Sequence, residues 1–172
     1  VIADVQAEAM DSVVEDLRAS GADAIGVLTD VTSAASVEAL AEATERQFGP
    51  AKLVFNNAGV ASGGPIREST DKDWKWVFAV NVDGVANGVR SFTPRMLAAA
   101  AADPAYEGCI VNTASMAGLV TAPGMGIYSV SKHAVIAISE CLYHDLDLVG
   151  DQVKTAVLCP SYVTTNISQC YR

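Results

Sequence analysis

Short apolar runs alternate with longer segments of helical periodicity along the 172-residue chain, and this alternation limits the possible folds more than any other feature. Five runs are apolar almost throughout and are predicted strands: Val1 to Val5, Ala24 to Leu28, Lys52 to Phe55, Cys109 to Thr113 and Val153 to Leu158. Strands that are apolar on both sides are typical of a parallel sheet with helices on both faces. The sequence therefore predicts an α/β protein with a doubly wound parallel sheet.

The remaining segments show the period of amphipathic helices and end at recognisable signals. The predicted helices run from Gln6 to Ser20, from Thr32 or Ser33 to Phe48, from Ser69 or Thr70 to about Ala102, and from about Ile127 to about Val149. Gly21 ends the first helix, and Gly49-Pro50 ends the second. We expect Pro94 to kink or interrupt the third helix, because proline lacks the amide hydrogen that an inner turn needs.

Composition and charge indicate one compact domain with a small-molecule partner. Hydrophobic residues make up 51% of the chain and charged residues 18%, which suits a sizeable core. The net charge of −9 argues against nucleic acid or an anionic membrane as a partner, since their phosphates would be repelled. No charged and apolar leader opens the chain, so a cytoplasmic location is the expectation.

The four cysteines stand mostly in apolar surroundings, at Cys109, Cys141, Cys159 and Cys170. They form no Cys-x-x-Cys pair, and only two histidines accompany them. We therefore predict reduced thiols in the core and no metal site.

Tyr128 and Lys132 are the first candidates for chemistry. They are four residues apart, so a helix would place both side chains on one face. A nearby ammonium lowers the pKa of a phenol from its usual value of about 10, which would make Tyr128 a usable acid and base near neutrality. The same spacing also fits an ordinary surface pair on a helix.

Further polar residues follow the predicted strands, where ligands bind in parallel sheets. They are Asp4, Asp30, Asn56 to Gly59, Thr113 to Ser115, and Pro160 to Thr165. Taken singly, the acids and amides among them also fit ordinary turn residues at strand ends.

Five motifs together carry a resemblance to a known family: Asn56-Asn57-Ala58-Gly59, Asn81 in Asn-Val-Asp-Gly, Ser115 after a strand, Tyr128-x-x-x-Lys132, and Pro160 to Thr165. In this order and at these spacings the chain resembles the short-chain dehydrogenase/reductase family over nearly its whole length. The resemblance implies a Rossmann-type, three-layer α/β/α fold, apparently truncated at both ends. Residues 1–172 would then form a single, partial NAD(P)-binding domain.

The resemblance assigns four catalytic roles. Tyr128 would exchange a proton with the substrate oxygen while hydride moves to or from nicotinamide, and Lys132 would lower the tyrosine pKa and hold the nicotinamide ribose. Ser115 would bind the substrate oxygen. Asn81 would support a proton-relay water near the lysine. These roles fit carbonyl reduction, which needs an acid at oxygen and a hydride source, and they require no metal.

The cofactor-binding candidates are Asp4, Asp30, Val31, Asn57, Ala58, Gly59, Tyr128, Lys132, Pro160, Val163 and Thr165. Asp4 ends the first predicted strand, where a carboxylate binds the adenosine ribose and repels a phosphate, so NAD is expected over NADP. By resemblance Asp30 and Val31 would contact adenine, and Val163 and Thr165 would lie near the nicotinamide amide or a phosphate. Asn57 and Gly59 would lie along the adenosine.

The expected function is an NAD(P)-dependent oxidoreductase that interconverts a secondary alcohol and a ketone. Two alternatives remain open at this point: a noncatalytic nucleotide-binding relative, and a sugar-nucleotide epimerase or dehydratase, which also uses Tyr-x-x-x-Lys. The resemblance also implies a homodimer or homotetramer that pairs through the helices at about 70–102 and 126–149.

Two departures from the family pattern accompany the matches. The glycine-rich loop that binds the cofactor phosphates should precede Asp4 by about 20 residues or more, so we expect the chain to be part of a longer protein. Ser161 stands where the family usually has glycine after the proline. Its side chain would crowd the nicotinamide or alter the turn.

Overall fold

The computed structural model describes residues 1–165 and 167 and contains the predicted alternation of strands and helices. The elements are β1 (Ile2–Asp4), α1 (Ala7–Ala19), β2 (Gly26–Leu28), α2 (Ala34–Phe48), β3 (Leu53–Asn56), α3 (Asp71–Phe78), α4 (Gly84–Ala102), β4 (Gly108–Thr113), α5 (Gly126–Asp147) and β5 (Val153–Leu158). β2 begins two residues later than predicted. The Ala24 carbonyl accepts a hydrogen bond from the Arg18 Nε at 2.8 Å, outside the strand pairing.

The strands pair in parallel and form two sheets. β1 pairs with β2, while β4 lies between β3 and β5. The register sets Asn56 beside Asn112 and Thr113 beside Leu158. The carboxyl ends of β3, β4 and β5 therefore meet at one edge, where the sequence places its candidate residues.

The main hydrophobic core lies between α2, α4, α5 and β4. Its most buried members include Ala41, Met96 and Ile110, which are 0%, 1% and 0% exposed. Side chains alternate between the two faces of a strand, and those of Leu53 and Phe55 on β3 are 56% and 57% exposed. Within residues 1–165, helices therefore cover β3 on one face.

The third predicted helix is interrupted at a different place from the one expected. α3 begins at a Thr70 cap, whose Oγ1 accepts from the Asp73 amide at 3.3 Å while Asp73 accepts from the Thr70 amide at 2.8 Å. A π-helical turn, Ala79–Asp83, then separates α3 from α4, and α4 continues through Pro94. The expected break at Pro94 is wrong: Pro94 is exposed, so water can bind the carbonyl that loses its amide partner.

The predicted state of the cysteines is correct in part. Cys109, Cys141 and Cys159 are free thiols. The first and last are half-buried, but Cys141 is exposed on the outer side of α5, so its prediction as a core thiol is wrong. Cys170 lies outside the described residues.

Long apolar helices and clusters of metal ligands are both lacking in the described part of the chain. No helix among residues 1–165 is long and apolar enough to cross a membrane. The same residues contain no group of three or more histidine, cysteine, aspartate or glutamate side chains that would hold a metal ion.

Candidate functional site

The first turns of α5 carry Tyr128 and Lys132 on one face, as the spacing predicts. Lys132 is 3% exposed, Tyr128 is half-buried, and the Lys132 Nζ lies 5.7 Å from the centroid of the tyrosine ring. Gly126 begins the helix, and a Cβ there would come within 2.7 Å of the Ile66 Cβ. The glycine therefore lets the loop after β3 pack against the start of α5.

The Lys132 ammonium is fixed by the end of β4. Its Nζ donates to the carbonyl oxygen of Thr113 at 2.8 Å. Burial lowers the pKa of Lys132 from 10.5 to about 8, because a charged group is poorly solvated there. This pKa still lies above 7, so the ammonium form predominates at neutral pH.

Asn81 is fully buried and joins three segments of the chain. Its Oδ1 accepts from the Val60 amide at 2.8 Å, and its Nδ2 donates to the Val60 carbonyl at 2.9 Å and to the Ser131 Oγ at 3.0 Å. The Ser131 Oγ donates in turn to the Tyr128 carbonyl at 2.7 Å. The π-helical turn thus points Asn81 inward, where it connects the loop after β3 to the first turn of α5.

Gly59 keeps a space open beside Lys132 and Asn81. A Cβ at this position would lie 3.4 Å from the Lys132 Nζ and 3.5 Å from the Asn81 Oδ1. The lysine and the asparagine therefore approach one point of the loop after β3. A larger residue at position 59 would occupy that point.

Ser115 lies just past β4 and contacts the segment after β5. Its Oγ accepts from the Ala117 amide at 3.1 Å and lies 3.5 Å from the Pro160 carbonyl, while the Met116 amide donates to that carbonyl at 2.9 Å. In the described part of the chain, the hydrogen bonds of Ser115 do not reach Tyr128 or Lys132. Ser115 thus lies at the same sheet edge as the pair.

The carboxylates of Asp4 and Asp30 lie at the ends of β1 and β2 and are exposed. The Asp4 Oδ1 accepts from the Gln6 amide at 2.8 Å. The Asp30 Oδ1 accepts from the Thr32 amide at 2.9 Å and the Thr32 hydroxyl at 2.8 Å. Each acid therefore begins a turn, as the simpler interpretation of the sequence held, and keeps its second oxygen on the surface.

The other cofactor candidates differ in how firmly they are held. Val31 is half-buried against α4, where its carbonyl accepts from the Asn87 Nδ2 at 2.9 Å. Asn57 accepts from the Thr113 Oγ1 at 3.1 Å. Val163 is 63% exposed, and Thr165 accepts from the Ile167 amide at 3.4 Å. Ala58 is exposed and Pro160 is half-buried at the same edge of the sheet.

A cavity of about 460 Å³ borders the first turns of α5 but not this site. Its lining includes Ser129, Val130 and His133 on α5, together with Ile66 and residues 121–124. Tyr128 and Lys132 are not among the lining residues, because they face a different side of the helix. The cavity therefore gives no information about what binds at the pair.

Two groups that hold the site together were not predicted from the sequence. One is the Thr113 carbonyl, which binds the Lys132 ammonium, and the other is the Ser131 hydroxyl, which binds Asn81. Ser131 stands three residues after Tyr128, and a partner for it was not evident without the position of Asn81. A backbone carbonyl has no sequence signal at all.

Comparison with known proteins identifies the family of the chain. A sequence model described as short chain dehydrogenase matches residues 1–172. The chain belongs to the short-chain dehydrogenase family. The C alpha-dehydrogenase of a Sphingobium strain is 35% identical over 173 residues, which is 100% of this chain and 54% of that protein.

Solved structures of short-chain dehydrogenases share the fold. A short chain dehydrogenase/reductase from Burkholderia phymatum, solved with NAD, superposes with a TM-score of 0.93 and 51% identity, over 97% of this chain and 58% of that one. A gluconate 5-dehydrogenase from Burkholderia cenocepacia, solved with NADP and tartrate, superposes with a TM-score of 0.87 and 26% identity, over 98% of this chain and 63% of that one. The predicted Rossmann-type fold is confirmed. The chain spans about half the length of the curated relative that it matches.

Proposed function

We propose that the protein is an NAD-dependent oxidoreductase that interconverts a secondary alcohol and a ketone, with Tyr128 as the acid and base. The observation that carries the proposal is the buried Lys132 ammonium, held by the Thr113 carbonyl next to the tyrosine ring. Burying a cation is costly, and that cost is understandable where the charge acts on a neighbouring group. Membership of the short-chain dehydrogenase family supports the same reaction class.

A nicotinamide cofactor fits the residues at this sheet edge. Gly59 leaves open the point that Lys132 and Asn81 approach, and Asn57 and Ala58 beside it are exposed. The residues that would hold the cofactor are Asp4, Asp30, Val31, Asn57, Ala58, Gly59, Tyr128, Lys132, Pro160, Val163 and Thr165. When bound, nicotinamide supplies or accepts the hydride.

The side chains of the chain handle the proton and the substrate oxygen. During ketone reduction, the Tyr128 hydroxyl gives its proton to the oxygen that becomes the alcohol, and during oxidation the phenolate takes that proton back. The Lys132 ammonium stabilises the negative charge on the phenol oxygen. Ser115 donates a hydrogen bond to the substrate oxygen, and Asn81 keeps the loop after β3 in place against α5.

Asp4 supports NAD as the cofactor over NADP. Its carboxylate is exposed at the end of β1, and one oxygen is engaged by the Gln6 amide. The other oxygen can accept from a ribose hydroxyl, whereas a phosphate at that position would meet a like charge.

Replacing the phenol tests the proposal. In the full-length protein, we expect Tyr128→Phe to retain NADH binding, measured by the change in NADH fluorescence, and to lose about 100- to 10,000-fold in turnover of secondary alcohols. Tyr143→Phe is the matched control, because Tyr143 is a 54% exposed tyrosine on the same helix. Turnover by Tyr128→Phe at the level of Tyr143→Phe would contradict the proposed role. NADH binding without turnover by the wild type would identify a noncatalytic relative.

A further inference from the structure

A chain of buried polar side chains crosses the interior below the Tyr128–Lys132 pair. The Asn56 Nδ2 donates to the Asn112 Oδ1 at 2.8 Å, and the Asn112 Nδ2 donates to the Ser139 Oγ at 3.0 Å. The Ser139 hydroxyl donates to the Val135 carbonyl at 2.7 Å. Asn112 and Ser139 are 0% and 3% exposed, so the bond that joins β4 to α5 lies away from water, while Asn56 is half-buried.

Lys132 and Ser139, which hydrogen-bond to the end of β4, lie on one face of α5. Lys132 and Ser139 are seven residues apart, close to two helical turns, and therefore lie in one row. Lys132 binds the carbonyl of Thr113, and Ser139 binds the side chain of the preceding residue, Asn112. Two neighbouring residues of the strand thus fix the helix at points about 10 Å apart along its axis.

The side chain of Asn112 is held in position by β3. Asn56 lies directly opposite it in the register of β3 and β4 and occupies the Oδ1. Asn56 is itself confined by α4, since a Cβ on Gly88 would come within 2.0 Å of the Asn56 Oδ1. The Asn112 amide therefore has little freedom to follow Ser139 if the helix slides or rotates.

We infer that the hydrogen bond between Asn112 and Ser139 positions Lys132, by fixing the rotation and axial position of α5 relative to β4. Apolar contacts alone allow a helix to slide by small amounts, whereas a buried hydrogen bond loses its partner as soon as the geometry changes. Asn112 and Ser139 are positioning residues and do not touch the reacting atoms. The effect that we expect on turnover rests on the proposed function, whereas the effect that we expect on the pKa of Lys132 does not.

The test removes the Ser139 hydroxyl in the full-length protein and measures the pKa of Lys132 and the turnover. In Ser139→Ala, the pKa of the Lys132 side chain, followed by NMR, should rise from about 8 toward 10.5 as the ammonium gains contact with water. Turnover by folded protein should fall roughly 10- to 100-fold, as for a misplacement of about 1 Å. Ser139→Thr keeps the hydroxyl and should restore both quantities.

Ser129→Ala is the matched control. Ser129 lies on the same helix and is 2% exposed, but among the described residues its hydroxyl has no hydrogen-bond partner, so its removal should leave the Lys132 pKa unchanged. If Ser139→Ala is too unstable to assay, Ser139→Cys offers a weaker acceptor of similar size and should shift the pKa in the same direction by less. A folded variant with lowered stability but an unaltered Lys132 pKa and turnover would overturn the inference. Failure of the proposed function would appear separately, as a wild type whose turnover does not need Tyr128.

Discussion

The polar side chains of β3 and β4 differ in their surroundings from the carboxylates that end β1 and β2. The side chains of Asn56, Asn112 and Lys132 each form a hydrogen bond to another element. The carboxylates of Asp4 and Asp30 are exposed, and within residues 1–165 they accept hydrogen bonds only from residues two places ahead. The proposed proton transfer therefore lies where side chains are held from several sides, and the proposed cofactor preference lies where carboxylates remain open to a ligand.

Among the substitutions that break this comparison, Lys132→Met is expected to have the largest effect and to separate activity from stability. Turnover should fall about 100- to 1,000-fold, as for the loss of a preorganised charge beside the reacting atoms. Stability at pH 7 should rise by roughly 1 to 3 kcal/mol, because burial lowers the Lys132 pKa and methionine removes the cost of holding that charge out of water. Urea unfolding at pH 7 and pH 10 measures the second effect.

The pH dependence of that gain has a defined sign. The pKa of Lys132 is about 8 in the folded state and 10.5 in the unfolded chain. Between these two pH values the unfolded chain binds more protons than the folded protein, so wild-type stability rises with pH over this range. The gap between Lys132→Met and the wild type should therefore narrow toward pH 10. Lys72→Met, at an exposed lysine, controls for the loss of one surface charge. Lower stability of Lys132→Met at pH 7 would show that the bond to Thr113 outweighs the desolvation.

Gly88→Ala should be the next largest change and should destabilise the side of the molecule that holds β3 and β4. The added Cβ would come within 2.0 Å of the Asn56 Oδ1, and relief of that overlap should cost about 3 kcal/mol of unfolding free energy. Gly63→Ala is the control, because its nearest neighbour, the Gly124 carbonyl oxygen, is 3.8 Å away. Equal unfolding free energies for the two variants would mean that Asn56 moves aside at no cost.

Asp4→Ala should have the smallest effect, confined to cofactor choice. We expect the ratio of kcat/KM for NAD to that for NADP to fall about fivefold, which corresponds to about 1 kcal/mol for a solvent-screened charge pair. Stability should change little, since Asp4 is exposed. Asp11→Ala removes an equal charge on the surface of α1 and should leave the ratio unaltered. An unchanged ratio in Asp4→Ala would remove the assigned role of this carboxylate.

Local patterns in the sequence were enough to predict the strands and the position of the Tyr128–Lys132 pair. β5 has the predicted bounds, and α5 begins and ends within about two residues of its expected limits, because apolar periodicity and capping signals are properties of neighbouring residues. The edge of the sheet at which the candidate residues lie followed from the predicted parallel topology. These features depend on short stretches of chain, which a single sequence displays directly.

Contacts between distant segments could not be predicted in the same way. Asn112 and Ser139 are 27 residues apart, and Asn81 and Ser131 are 50 apart, so no spacing in the sequence connects them. The position of the break after α3 was also missed, since apolar residues continue through both helices and Pro94 gave a misleading signal.

Because of the π-helical turn, the number of residues between α3 and α4 is constrained. A π turn accommodates one residue more than an α-helical turn, so deleting one residue from Ala79–Asp83 would leave an ordinary α-helical turn between α3 and α4. The two helices would keep their relative rotation, but the wider turn that directs Asn81 toward Val60 and Ser131 would be lost. The length of this segment is therefore as much a part of the architecture as the identity of Asn81.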